Sequence, residues 1–540
     1  MCGIFFYKGE KYKTEDLVSY LEKLNDRGPD NKKILQVSDN IVLGFTRLCI
    51  NDLSDNGDQP FHKNGIYLIC NGEIYNFRQL IDENKFEMNS SSDCEVIIDL
   101  YLKYGMNQCC TQLDGVFAFV IVDTIQNKVF ACRDRFGVRP SYIGRTETNE
   151  IFVASELKAI SDLCTYIEPF QPGNFLELTN DNDELFNYQP YYRYLYNIIE
   201  KDEEILKNNI RELLTEAVRK RVVGTTERPV GCLLSGGLDS SLVSAIVNTY
   251  FEKGELNTFS IGMKGSTDLH YAKIAADYLG TKHHQVELTE EDFLNAIEEV
   301  IYHIGSFDTT TVRASTGNYL ISKYIKENTD IKVVTNGDGA EEIFSSYNYS
   351  SIIEDKDDFF EDNVRLLKEI HYYDVLRSDR SISNNGLEAR VPLLDRDFVN
   401  YVMSIDPKYK QFGFNGKMEK QLLRDSFKDT GLLPDEILFR KKEAFSDGIS
   451  SQKNSWFEVL HRHIDTKITD EEFENGKDKF THCTPRTKEE YYYRKIFEKY
   501  YKGHSNIIPA FWMPNKKYYP DMVDPSARKL KTYSNSLKED

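Results

Sequence analysis

The chain has 540 residues, room for two to four domains, and its 40% hydrophobic content with mixed charge is that of a globular protein rather than a disordered or fibrous one. A formal net charge of -20 excludes a sequence-independent grip on nucleic acid or on an anionic membrane, since both need a basic surface; anionic substrates must be held by local cations. The opening apolar run is too short for a signal-peptide core, no stretch reaches the length of a membrane helix, and the ten cysteines form no Cys-x-x-Cys pair. The expectation is a cytoplasmic protein with no disulfide framework and no structural zinc.

Cys2 follows the initiator Met1. A small side chain there permits removal of the methionine, which leaves a cysteine carrying both a thiol and a free α-amine. That amine titrates near about pH 8, so at neutral pH a useful fraction can take the thiol proton with no other base. The bland alternative is a first-strand cysteine of no consequence. Stretches 41–48, 66–70, 116–122, 129–132, 151–154 and 175–178 are predicted strands, and 116–122 is apolar at consecutive positions, which requires cover on both faces.

Among these strands stand Arg27-Gly28-Pro29-Asp30, Arg47-Leu48, Asn71-Gly72-Glu73-Ile74-Tyr75-Asn76, Ser92-Asp93, Asp114-Gly115-Val116-Phe117-Ala118 and Arg133-Asp134-Arg135-Phe136-Gly137. In order and spacing behind Cys2 they resemble the glutaminase domain of the class II, N-terminal-nucleophile amidotransferases, over residues 2–190. The resemblance implies a four-layer αββα sandwich and a Cys2 nucleophile. The Asn71 amide and the Gly72 N–H can supply the two donors that a tetrahedral oxyanion needs. Arg47 offers a planar fork for the α-carboxylate of glutamine, and Asp93 a counter-charge for its ammonium. In the family the segment Arg47, Leu48, Cys49, Ile50 and Asn51 and the segment Asn71, Gly72 and Glu73 bind glutamine; here Asn51 stands where an apolar residue is usual.

Residues 185–202 are Tyr- and Asn-rich without clear period and are read as the connection between domains. A helix over 203–221 leads to a strand at 230–234, a loop of Ser235, Gly236, Gly237, Asp239, Ser240 and Ser241, and a helix marked by Leu238, Leu242, Val243, Ile246 and Val247. Two glycines free the backbone N–H groups to face an anion, and the helix presents its positive end to the same spot, a pyrophosphate cradle. The lysine of the nucleotide-triphosphatase phosphate loop is missing. The loop resembles instead the Ser-Gly-Gly-x-Asp-Ser signature of the ATP pyrophosphatases. Asp239 beside phosphates is a candidate Mg²⁺ contact.

Strands at 258–263, 285–288 and 331–335 alternate with helices at 271–279, 289–303 (opened by a Thr289-Glu290-Glu291-Asp292 capping box) and 315–327. This alternation predicts a doubly wound parallel sheet with ligands beyond the carboxyl ends of its strands. Three loops meet at that edge: the Ser235 loop, the residues around Ile261, and Asn336-Gly337-Asp338-Gly339-Ala340-Glu341-Glu342. His283 and His284 are read as packing or surface residues.

The segments Tyr373–Arg380, Gly386–Asp395 and Arg440–Gly448 are similar to those of the asparagine synthetase family, and the resemblance runs from Cys2 to about residue 450. It implies an adenylating domain over 203–520, with Leu233 and Ile261 flanking adenine, and Asn336 and Gly337 also touching ATP. Asp338 and Lys442 are its implied catalytic residues, and Arg390 and Asp395 its aspartate-side residues. The implied reaction amidates L-aspartate with glutamine nitrogen through a β-aspartyl-AMP, using ATP and Mg²⁺ and releasing AMP, pyrophosphate and glutamate. The implied partners are these small molecules, with a homodimer as the quaternary expectation and residues 521–540 as a mobile tail. An adenylating cyclase of the β-lactam synthetase type would have no need for Cys2, Arg47, Asn71 and Asp93; a catalytically silent homologue would have no need for the intact Ser235 loop and Lys442.

Overall fold

The structure is a computed structural model that describes residues 1–178, 186–451 and 454–530. Its N-terminal part holds two six-stranded antiparallel sheets. Gly3–Lys8 lies inside the first, between Ile41–Arg47 and Ile151–Ala154, and Gly115–Asp123 lies inside the second, between Ile66–Ile74 and Lys128–Arg133. Ile4 and Phe6 from one sheet meet Ile69, Ala118, Val120 and Val122 from the other in a core between the two. Leu17 and Leu21 of helix Thr14–Glu22 cover the first sheet's outer face, and helix Val96–Gln112 covers that of the second. The consecutive apolar residues of 116–122 are thus explained: alternate side chains enter two different cores, giving the expected four layers.

The C-terminal part is built on five parallel strands in the order Lys282–Leu288, Asn257–Met263, Val230–Leu233, Val333–Thr335 and Glu388–Arg390. Helices Glu203–Val222 and Leu238–Asn248 pack on one face, and Glu290–Ile304 and Thr309–Asn328 on the other. Chain order reverses between Val230–Leu233 and Val333–Thr335, so the loops after these two strands diverge and leave a crevice at the carboxyl edge. The Ser235 loop and the Asn336 loop are those two loops.

Several boundaries differ from the sequence reading. Thr289 does accept a hydrogen bond from the Asp292 N–H in a capping box, but helix Thr309–Asn328 starts six residues before the predicted 315 because Asp308 caps it through the Thr311 N–H. Strand Glu388–Arg390 was not anticipated, since three buried residues are too few to show a period. Within the 185–202 connection, Gln189–Pro190 adds an edge strand to Asn174–Glu177, while Tyr192, Tyr194 and Tyr196 pack on the second domain's core; residue 185 lies outside the described residues.

Within the expected tail, residues 521–530 make contacts with the second domain. Leu530 is buried with Tyr349, Ile353 and Phe359, and the Arg528 Nε donates to Asp447 Oδ1 at 2.8 Å. Apolar docking and a charge-assisted hydrogen bond both act against fraying there. Residues 531–540 of that expectation lie outside the described residues.

Candidate active sites

Strand Gly3–Lys8 and strand Ile66–Ile74 belong to facing sheets, and this brings Cys2 beside Asn71. The Cys2 N–H donates to Asn71 Oδ1 at 3.1 Å, and the buried Asn71 Nδ2 has no hydrogen-bond partner among the described residues. A buried amide donor left unpaired is costly in a resting protein and serves as a preorganised donor for an oxyanion. Met1 precedes Cys2 in the structure and is itself buried, with its amine 4.0 Å from Glu388 Oε2. Burial pushes the Cys2 thiol up to about 11, against the lowering effect of that amine and of a backbone hydrogen bond at Leu48. The thiol therefore needs a base at close range to act at neutral pH, which is the service a freed α-amine would perform.

Asn51 has a clear task here. Its Nδ2 donates to Glu73 Oε2 at 2.9 Å and to Asp93 Oδ1 at 3.2 Å, tying two buried carboxylates together. Burial raises Asp93, although the Ile74 N–H and Asn51 pull it down; burial and the carboxylates Glu388 and Asp93 raise Glu73 despite Arg390 and Arg139. Arg47 is placed otherwise than as an open fork. Its Nη1 donates to Asp58 Oδ1 at 2.5 Å and to the Ser54 carbonyl at 2.8 Å, and its Nη2 bonds the Asp52 carbonyl, so the loop after Ile50 fills the guanidinium. Cys49 lies between the domains, its N–H donating to Asp30 and its carbonyl accepting from Arg228, and Leu48 and Ile50 pack on Val230 and Val333 of the parallel sheet.

The second site is a cavity of about 300 Å³ at the carboxyl edge of the parallel sheet. Leu233, Ser235, Gly237, Asp239, Ser240 and Ile261 line it from one side and Asn336, Gly337 and Asp338 from the facing loop, with Lys442 alongside. Gly236 has φ +74°, and a Cβ there would meet the Tyr271 and Ala272 backbone at 2.3 Å; a Cβ on Gly337 would meet the Ser240 nitrogen at 2.7 Å. Both glycines are needed for the loops to close on one space. Gly236 and Ser241 support the loop from behind; Ser241 is fully buried. The Ser235 and Ser240 hydroxyls lie 3.0 Å apart at the start of helix Leu238–Asn248, adding donors to its positive end.

Asp338 Oδ1 accepts from Arg377 Nη2 at 3.2 Å and its Oδ2 accepts from Asn336 Nδ2 at 2.7 Å. Burial raises Asp338 despite Arg377, which makes its carboxylate a better proton acceptor than an exposed one. Lys442 pairs with Glu341 Oε2 and lies 4.9 Å over the Tyr347 ring. Burial alone would raise Glu341, but Lys420 and Lys442 hold it down at about 2; Glu342 is raised by burial and by Asp374. Asp239 Oδ1 is buried and has no hydrogen-bond partner among the described residues, so its acceptor capacity fits a divalent cation.

Two of the sequence-derived residues belong elsewhere. Arg390 and Asp395, expected on the aspartate side, do not line this cavity. Arg390 is buried between the domains, donating to Thr225 Oγ1 and O, to Glu388 at 2.7 Å, and lying 3.2 Å from Glu73 Oε2. Asp395 caps helix Arg396–Ser404 and pairs with Arg221 at 2.8 Å. A motif-bearing sequence segment conveys that charges matter without telling which cavity they face. Residues that the sequence reading missed include Lys420, whose Nζ joins Asp239 and Glu341, and the cavity-lining Arg313 and Arg377. Arg377 lies in the segment 373–380 already singled out; Lys420 carries no motif at all.

Residues 1–182 match the family model described as "Glutamine amidotransferase domain", and residues 209–361 and 351–519 match that described as "Asparagine synthase". The chain is 41% identical to "Asparagine synthetase [glutamine-hydrolyzing]" of Gallus gallus, with 100% of both chains covered. It is 40% identical to the protein of the same description from Homo sapiens, again over 100% of each. Similarity to "Probable asparagine synthetase [glutamine-hydrolyzing]" of Acanthamoeba polyphaga mimivirus is 40%, covering 98% of this chain and 99% of that one. No helix among the described residues is long and apolar enough to cross a membrane.

Proposed function

The chain belongs to the glutamine-hydrolysing asparagine synthetase family, and on that premise we propose that it converts L-aspartate to L-asparagine with ATP and the amide nitrogen of glutamine. In the N-terminal site the Cys2 thiolate attacks the glutamine carboxamide, Asn71 Nδ2 and the Gly72 N–H receive the oxyanion, and ammonia leaves a glutamyl thioester that water cleaves. Glu73 and Asp93, tied by Asn51, bind the substrate ammonium end. In the second site the side-chain carboxylate of aspartate attacks the α-phosphorus of ATP and pyrophosphate departs. Ammonia then attacks the acyl carbon, Asp338 takes a proton from it, and AMP leaves.

Lys442 stabilises the charge that grows on the departing pyrophosphate. Mg²⁺ held at Asp239 Oδ1 would neutralise phosphate charge there. The observation that carries the reading is the meeting of the Ser235 loop, the Asn336 loop and Lys442 around one cavity. The ten cysteines, all free thiols, support a cytoplasmic setting. The test is stoichiometry: with aspartate, glutamine and ATP the protein should release asparagine, glutamate, AMP and pyrophosphate in equal amounts. Release of ADP, or AMP without asparagine, would reject it.

A further inference from the structure

The chain beyond Ala510 has little secondary structure of its own, one short 3-10 turn at Ala527–Lys529 among the described residues, yet it is pinned along its length. Tyr373 OH donates to the Ala510 carbonyl at 2.9 Å, the Trp512 N–H donates to Asp308 Oδ1 at 2.7 Å, and Asn515 Nδ2 donates to Asp362 Oδ1 at 3.0 Å. Farther on, Asp524 accepts from both terminal nitrogens of Arg313 at 3.4 Å, Arg528 donates to Asp447, and Leu530 is buried. The anchors sit on elements from different sides of the adenylation cavity: helix Thr309–Asn328, helix Phe445–Gly448 and the turn Asn348–Ile352. Between the anchors Trp512, Pro514, Pro525, Ser526, Ala527 and Leu530 line the cavity.

Most of that lining is apolar and none of it is ionisable, unlike the loops on the opposite side. Trp512 also packs against the Tyr347 ring at 5.0 Å, and that ring lies under the Lys442 ammonium. We propose that residues 512–530 form the outer wall of the adenylation cavity and keep water from the acyl adenylate while ammonia arrives. The inference rests on the adenylating activity proposed above. An acyl adenylate partitions between two nucleophiles: ammonia gives asparagine and AMP, and water gives back aspartate and AMP. A wall that excludes water therefore sets the ratio of AMP to asparagine and leaves the adenylation step itself in place.

The test uses the full chain with Arg528→Ala and, separately, Leu530→Asp, supplied with aspartate, ATP and ammonium chloride. AMP per asparagine should be near one in the parent and rise about threefold or more in both variants, while glutamine hydrolysis at Cys2 stays at the parent rate and Arg528→Lys restores the parent ratio. A segment that merely stabilises the fold would lower AMP and asparagine together at a constant ratio, and that result overturns the proposal, as does an unchanged ratio at the parent rate. A parent that forms no AMP from aspartate and ATP sinks the adenylating activity and the wall with it; a normal parent with unaltered variants sinks the wall alone.

Discussion

Lys420 places its Nζ 2.5 Å from Asp239 Oδ2 and, through the same ammonium, 2.7 Å from Glu341 Oε1, joining the phosphate loop to the helix that carries the Asn336 loop. This cation stands beside the carboxylate to which sequence reasoning assigns Mg²⁺. Lys420→Met should leave two inward carboxylates facing each other, at a stability cost of about 3 kcal/mol. A divalent cation can replace part of the missing charge. Pyrophosphate release from ATP should therefore fall in this variant and recover partly as Mg²⁺ is raised. A Mg²⁺ dependence parallel to the parent's would place the lysine's charge outside the metal locus.

Cys2→Ala removes the thiol of the residue whose backbone N–H bonds the Asn71 amide. Glutamine hydrolysis should drop on the order of 10³-fold or more, with asparagine formation from ammonium chloride kept near the parent rate, because the cavity at the parallel sheet is built from other residues. Loss of both activities in a folded variant would contradict two separable sites.

Lys441 and Lys442 are neighbours in sequence and differ in placement: Lys441 is exposed, whereas Lys442 lines the cavity against Glu341 and Tyr347. Lys442→Met should slow adenylation by about 10²-fold or more, the usual loss of one positioned charge at a developing anion, and Lys441→Met should change it little. Equal small effects in pyrophosphate exchange assays would take Lys442 out of the site.

Asp338 accepts from Arg377 and Asn336 and lines the same cavity as Asp239. Asp338→Asn preserves the size and the loop geometry but deletes the charge. It should suppress both asparagine formation and aspartate-dependent exchange of pyrophosphate into ATP. Near-parent rates for the two together would reduce Asp338 to a loop-shaping residue.

Lys410 is buried and, among the described residues, has no carboxylate partner; its ammonium donates to Asn363 Oδ1 at 2.7 Å and to the Ile343 and Val402 carbonyls. Burial lowers its pKa from 10.5 to about 7. The folded protein thus binds fewer protons at this position than the unfolded chain between those two values, so stability should rise with pH across that window, by an amount on the order of a few kcal/mol. Below about pH 7 both states are protonated and the contribution is flat. Urea unfolding of the parent and of Lys410→Met at several pH values from 7 upward checks this, with the difference between them expected to vary over that range. A pH-independent difference would mean that Lys410 stays charged when folded.

What the sequence determined by itself is the part whose information is local. The strand, two glycines and following helix around Ser235 specify a phosphate loop through backbone conformation and helix polarity, and alternation of strands with helices specifies a parallel sheet with its ligand edge. Cys2 at the second position, with the ordered motifs behind it, carries the family resemblance that implies the sandwich. Charge pairing across long separations left no comparable trace. Arg390 bonds Thr225 and Glu73, at separations of 165 and 317 residues, and so serves the domain interface instead of the aspartate end. Lys420 meets Asp239 at a separation of 181 residues with no pattern around it, and the stretch from 512 to 530, irregular and without a sequence period, lines the cavity because its anchors lie on Asp308, Arg313 and Asp447. Coulombic and hydrogen-bond partners are selected by position in three dimensions, and only the packed sheets bring those positions together.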